Sequence, residues 1–123
     1  PEDKYRLIDF ELDSPALYKL FDFFVHVPID DHSEAFGQVY VEALAAGVPS
    51  VFTLSGIAVE FIRHREHALI VPYQQPDAIF EALIDLRTNP DLSRQLANAG
   101  GEIVDELFGV EAMVNKTLEL YAN

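Results

Sequence analysis

The chain has 123 residues, half of them hydrophobic and 24% charged, which is enough for one domain with a real core. Its 21 acidic residues outnumber 8 basic ones for a net charge of −13, which argues against nucleic acid or an anionic membrane surface as a partner, because both need a basic face. With no cysteine there is neither a disulfide framework nor a thiolate metal site.

The apolar pattern predicts alternating strands and helices. Tyr5–Phe10 reads as the first strand. Ser14 reads as a helix N-cap, with Pro15 at the first helical position of a short helix to about Phe21. Phe23–Val27 is the second strand, followed by a helix over Gly37–Ala46 that Gly47 stops. Ser50–Thr53 is the third strand, Ile57–Ile62 a single helical turn, and Ala68–Val71 the fourth strand. Three helices close the chain: Pro76–Arg87, one opened by Asn89-Pro90 and running to about Phe108, and Val110–Tyr121. The strands are short and nearly continuous in apolarity, which suits parallel strands covered on both faces. The fold class expected is therefore α/β, an open, doubly wound parallel sheet of Rossmann-like type, with C-terminal helices. No run approaches the roughly 20 apolar residues that span a bilayer. No signal-peptide pattern opens the chain, and the expected location is cytoplasmic.

In such sheets ligands bind outside the carboxyl ends of the strands. That rule sorts the loops. Glu11–Ser14, Pro28–Gly37, Leu54–Gly56 and Pro72–Gln75 fall on the site edge; Asp22, Gly47–Pro49 and Arg63–His67 fall on the other. Glu34, just before the Gly37 helix, and Glu42, inside it, bracket a helix amino end that is a natural anion site. Gly37 lets a phosphate or sugar approach the backbone, or merely permits a tight turn. Gln38 and Glu42 form an i, i+4 pair on one face, while Val39, Tyr40, Ala43 and Leu44 cover another. An ionised carboxylate accepts bonds from a vicinal diol such as a ribose; a solvated helix face is the plainer use of Glu42. Glu34 accepts from a sugar hydroxyl or loads the helix amino end with favourable charge. An acid–base pair of the two ranks low, with one of them on a loop.

His32 lies between Asp31 and Ser33, where it acts on a substrate hydroxyl or pairs with a carboxylate. Adjacent loop residues rarely all point inward, so Asp30, Asp31 and His32 make a weak metal site. His26, on a buried strand, reads as a hydrogen-bonded core residue. The basic cluster Arg63, His64, Arg65 and His67 follows a helix carboxyl end on the wrong edge for a phosphate. Asn115-Lys116-Thr117 matches a glycosylation sequon, but within a helix it reads as chance. There is no G-x-G-x-x-G, P-loop or nucleophile elbow.

The run from Glu34 to Pro49, Glu-Ala-Phe-Gly-Gln-Val-Tyr-Val-Glu-Ala-Leu-Ala-Ala-Gly-Val-Pro, resembles the E-x7-E block of GT-B glycosyltransferases of the retaining family 4 type, in their C-terminal, donor-binding domain. Leu17-Tyr18 before the Asp22–Val27 segment, Ser55-Gly56 with Glu60 beyond, and Leu69-Ile70-Val71-Pro72 before Pro76-Asp77 extend the resemblance from about Tyr5 to Tyr121. It implies that Glu34 faces hydroxyls of the transferred sugar and is the catalytic residue. Amides around Phe36, Gly37 and Gln38 would bind sugar or diphosphate, and Glu42 would hold the ribose. His32, Ser55 and Gly56 would join the substrate contacts, and the loop at Phe10–Leu12 would approach the base. It implies transfer from a nucleotide-sugar donor with retention, without cofactor or bound metal.

The sequence departs from the family pattern at Asp9, where glycine is common, at Ser55-Gly56-Ile57-Ala58-Val59-Glu60 in place of Gly-Gly-x-Pro-Glu, and around His67, where an Asn-Gly-type turn is replaced. The acceptor domain and the first half of the donor domain, with its phosphate-neutralising Arg and Lys, have no counterpart in residues 1–123. The expectation is a partial domain of a larger enzyme, inactive alone, self-associating through the sheet edge that the missing strands expose, with Tyr5–Phe10 and its neighbours as the candidates. The alternatives are an epimerase or phosphorylase of the same architecture and a non-catalytic module.

Overall fold

The computed structural model describes residues 2–123; Pro1 lies outside the described residues. Three short strands, β1 (Phe24–His26), β2 (Ser50–Phe52) and β3 (Leu69–Ile70), form a parallel sheet in the order β1-β2-β3. Val25 pairs with Val51, and Val51 with Leu69. The backbone ladder continues past β3, where the Val71 N–H donates to the Phe52 carbonyl at 2.9 Å. Around the sheet lie α1 (Ser14–Tyr18), α2 (Gln38–Ala45), α3 (Ala58–Phe61), α4 (Pro76–Thr88), α5 (Pro90–Phe108) and α6 (Val110–Ala122).

The central strand is buried along its whole length: Val51 and Phe52 are apolar, and the buried Ser50 hydroxyl donates to the Val48 carbonyl at 2.7 Å. Successive side chains leave opposite faces of a strand. Phe52 therefore enters one core with Tyr18, Tyr40, Leu44, Phe61 and Ile62, beneath α1, α2 and α3. Val51 enters the other with Leu69, Leu86, Leu92 and Leu96, beneath α4 and the first half of α5. Helices cover both faces, as the apolar pattern requires. Helix α5 serves both cores, contributing Leu92 and Leu96 to one and Val104 to the other. It crosses α2 at Gly100, where an added Cβ would lie 2.7 Å from Leu44 Cδ2 and 3.2 Å from the His67 carbonyl oxygen, so a larger residue would force Leu44 to shift. Helix α6 buries no residue of its own.

Local signals set the helix ends. Asn89 accepts from the Leu92 N–H through its side chain and precedes Pro90, so it caps α5 as expected. Asn89→Ala is expected to lower the stability of the chain by about 1 kcal/mol, read as a lower urea midpoint at unchanged m. For α1 the expected cap is displaced by one residue. Asp13, not Ser14, accepts from the Ala16 N–H, at 3.1 Å, because its carboxylate reaches the first turn and also carries the charge that the amino end favours. The helix ends at Tyr18 and not near Phe21.

The predicted first strand does not form. Tyr5–Phe10 runs without regular structure, with Tyr5, Leu7, Ile8 and Phe10 exposed. A strand exists only against a neighbour. The three described strands pair only with one another, and none of them takes Tyr5–Phe10 as a partner. The open sheet edges among the described residues are those of β1 and β3, so an associating edge at Tyr5–Phe10 is not available. For the same reason Glu11–Ser14 follows no strand and does not belong to the site edge.

Candidate functional site

The carboxyl ends of the three strands feed loops 27–37, 53–57 and 71–75, and the first two are bound tightly together. Thr53 donates through Oγ1 to the Pro28 carbonyl at 2.6 Å. The Glu34 N–H donates to Ser55 Oγ at 3.0 Å, and the Ile57 N–H to the Phe36 carbonyl at 2.8 Å. Gly56 donates its N–H to the Asp31 carbonyl at 3.4 Å. Tyr73, from the third loop, donates its hydroxyl to the Leu54 carbonyl. Ser55 and Gly56 are thus the floor on which the Glu34 loop rests.

Tyr40 pins this floor to α2. Its buried hydroxyl donates to the Thr53 carbonyl at 2.7 Å and accepts from the Ser55 N–H at 3.1 Å. Burial, helped by the charge of Glu34, pushes the Tyr40 phenol up to about 12, although the Ser55 N–H pulls it the other way. Gly37, at φ 85°, sits against the same ring: a Cβ would lie 2.8 Å from Tyr40 Cδ2. Both the positive φ and the close approach to Tyr40 favour glycine at this turn. Gln38 opens α2 and is exposed, and Phe36 is half-exposed, meeting Phe108 edge-on at 6.2 Å.

The two glutamates have different partners. Glu34 Oε1 accepts from His26 Nε2 at 3.0 Å, both side chains partly exposed. Glu42 Oε2 accepts from the Tyr18 hydroxyl at 3.2 Å. Burial first, then the charge of Glu42 and this bond, push the Tyr18 phenol up to about 12. Between them Tyr18 packs edge-on to Phe24 at 5.3 Å, and Phe24 stacks with His26 at 6.5 Å. An aromatic row on one face of β1 therefore links the two acids and separates them. A small cleft of about 250 Å³, lined by Pro15, Tyr18, Lys19, Glu42, Ala45 and Ala46, opens beside Glu42.

His32 is not gathered into this arrangement. Its side chain is 90% exposed and lies 3.3 Å from Asp31 Oδ1, while its N–H donates to Asp30. That bond and the Ser33 hydroxyl, the larger influence, hold the Asp30 carboxyl below its usual range. Three side chains of the basic cluster, His64, Arg65 and His67, are engaged in structural contacts. His67 Nδ1 accepts from the Arg63 N–H, His64 Nδ1 accepts from the Ile70 N–H, and Arg65 pairs with Asp85 at 2.7 Å. Sequence reasoning missed the roles of Tyr18 and Tyr40. The available signal was a phenol on an otherwise aliphatic helix face, since a buried hydroxyl needs a partner.

Known proteins share this arrangement of strands and helices. The model of the family described as glycosyl transferases group 1 matches residues 2–102. The chain belongs to that family. It is 30% identical over 88 residues to the N-acetyl-alpha-D-glucosaminyl L-malate synthase of Bacillus anthracis, covering 72% of this chain and 23% of the relative. It is 35% identical over 71 residues to the GDP-mannose-dependent alpha-(1-6)-phosphatidylinositol monomannoside mannosyltransferase of Mycobacterium tuberculosis, covering 58% and 18%. The crystal structure of Anabaena HepE in complex with UDP-glucose superposes with a TM-score of 0.80 at 22% identity, over 92% of this chain and 30% of that one. The glycosyltransferase fold expected from the E-x7-E block is thus the fold of this chain, which spans about a quarter of its relatives' length. No helix among the described residues is long and apolar enough to cross a membrane.

Proposed function

We propose that this group 1 chain is the donor-binding part of a longer, cytoplasmic glycosyltransferase that transfers a hexose from a nucleotide-sugar with retention of configuration. The observation that supports it is the junction at the strand carboxyl ends, where the amino end of α2 and a partly exposed Glu34 share one hydrogen-bonded floor. The M. tuberculosis relative's dependence on GDP-mannose supports a nucleotide-sugar donor. In this reading Glu34 accepts from hydroxyls of the transferred sugar. Amides around Phe36, Gly37 and Gln38 cradle the sugar or diphosphate at the positive end of the helix. Glu42, beside Tyr18, takes the ribose diol, Ser55 and Gly56 hold the loop against the donor, and His32 lies at its outer rim. Catalysis is then placement of donor and acceptor plus stabilisation of the departing diphosphate. The basic residues for that charge come from outside this chain, which holds only 8 Lys and Arg. The chain alone is inactive.

The test is calorimetric binding of UDP-glucose, GDP-mannose, UDP and GDP to the full-length enzyme. The expected result is that Glu42→Gln weakens the preferred diphosphate and its sugar conjugate alike, by about tenfold. Glu34→Gln should weaken the sugar conjugate only. An absence of binding at millimolar ligand sinks the proposal, and an inverted product anomer by NMR sinks its retaining part.

A further inference from the structure

Glu34 is held by more than its own loop. We propose that His26 is a positioning residue that aims the Glu34 carboxylate at the donor sugar, an inference that rests on the sugar-binding reading of Glu34.

The pair spans two elements. His26 is the last residue of β1, in register with Phe52, and its carbonyl accepts from the Thr53 N–H at 3.3 Å. Its backbone is therefore fixed by the sheet. Its ring is fixed by stacking on Phe24 at 6.5 Å with 15° between planes, and by the edge-on contact with Tyr40 at 4.9 Å. Glu34 has no such frame: it lies on a loop, and its backbone is secured by one bond to Ser55. A carboxylate on a loop samples several rotamers, and a donor fixed by a strand and two rings selects one of them. A carboxylate only accepts, so in the 3.0 Å bond His26 Nε2 is the donor. That bond occupies Oε1 and leaves Oε2 as the oxygen for a sugar hydroxyl. A charge-assisted bond of this kind is stronger than a neutral one. His26 itself touches no substrate in this scheme. Its effect runs through Glu34, so it should be felt by the sugar and not by the nucleotide.

The experiment compares His26→Phe, His26→Gln and Glu34→Gln in the full-length enzyme. Affinities for UDP-glucose and GDP-mannose are set against those for UDP and GDP. His26→Phe keeps the aromatic packing and removes the donor; His26→Gln keeps a donor. The expected result is about tenfold weaker binding of the preferred nucleotide-sugar by His26→Phe, with the diphosphate unchanged and recovery to within a fewfold in His26→Gln. In the Glu34→Gln background His26→Phe should add nothing, because the two act as one unit. A nitrogen NMR spectrum should report a protonated Nε2 in the parent protein and a shift of that resonance in Glu34→Gln. If Glu34→Gln weakens sugar binding while His26→Phe does not, the positioning role falls alone. If Glu34→Gln is silent, the role and the sugar-binding reading fall together. Equal loss of diphosphate and nucleotide-sugar in His26→Phe marks a merely structural histidine and overturns the inference. Should His26→Phe melt early, His26→Gln decides: sugar affinity within a fewfold of the parent supports the role, and equal loss of both ligands overturns it.

Discussion

Gly56→Ala is expected to destabilise the chain by about 2–5 kcal/mol and to dislodge Glu34 from its place. Two costs combine. At φ 58° the residue occupies the left-handed region, which is strained for alanine. The added Cβ would also stand 2.6 Å from the Phe36 carbonyl oxygen, 2.9 Å from its carbon and 3.2 Å from the Glu34 carbonyl oxygen. These are backbone atoms and cannot turn aside as a side-chain tip can. Relief requires the loop from Glu34 to Phe36 to lift from its floor, which stretches the bonds at Ser55 and Ile57. Gly47→Ala separates the two costs. Gly47 has φ 70°, but a Cβ there meets nothing within 4 Å, so that variant should lose only about 1 kcal/mol. Urea denaturation of both variants checks the ranking. Equal losses would mean that backbone strain is the whole effect and that the loop is not pressed against Gly56.

Tyr40→Phe should cost about 2–4 kcal/mol, although it deletes one oxygen atom and leaves the ring in place. The ring contacts with Phe52 at 4.8 Å and His26 at 4.9 Å survive the change. The hydroxyl does not, and the Thr53 carbonyl and Ser55 N–H, both in buried residues, each lose a partner. An orphaned buried group costs more than the net worth of the bond it made. Hydrogen exchange gives the local check: the Ser55 amide should exchange much faster in the variant, with amides in α5 affected only through global stability. Alkaline titration gives a second. The phenol ionises near 10 in the unfolded chain and near 12 in the folded one, chiefly because of burial. Between those values the folded state holds the proton longer, so stability is complete below pH 10 and falls as pH rises towards 12. Tyr18 follows the same course. Tyr40→Phe should therefore soften the alkaline loss without abolishing it. An unchanged alkaline profile would show that Tyr40 does not carry a raised pKa.

Both variants act on the seam between loops 27–37 and 53–57, where fold and site are the same set of bonds. The site tolerates little change there because the Glu34 loop has few other attachments. The partners of Glu42 are separate: Tyr18 comes from α1 and lies 24 residues away in sequence. Changes at the seam are thus expected to spare Glu42, and the two acids should fail independently.

What the sequence determined alone was what depends on neighbours in the chain. The α2 segment, its start at Gly37 and its stop at Gly47, the Asn89-Pro90 opening of α5 and the apolar run of β2 follow from propensity, capping and burial on both faces. The Glu34–Pro49 block is likewise contiguous in the chain, and its resemblance to the family, with that of Leu17-Tyr18, Ser55-Gly56 and Leu69–Pro72, was legible without the fold. What only the tertiary structure decided was which groups meet. Tyr5–Phe10 has the composition of a strand, yet a strand is a relation to a neighbour, and the described residues offer none beside it. Glu34 meeting His26, Glu42 meeting Tyr18 and Tyr40 reaching the floor of the site arise where loops return across the sheet, and hydrogen bonds depend on ångström-scale separations that residue order does not encode.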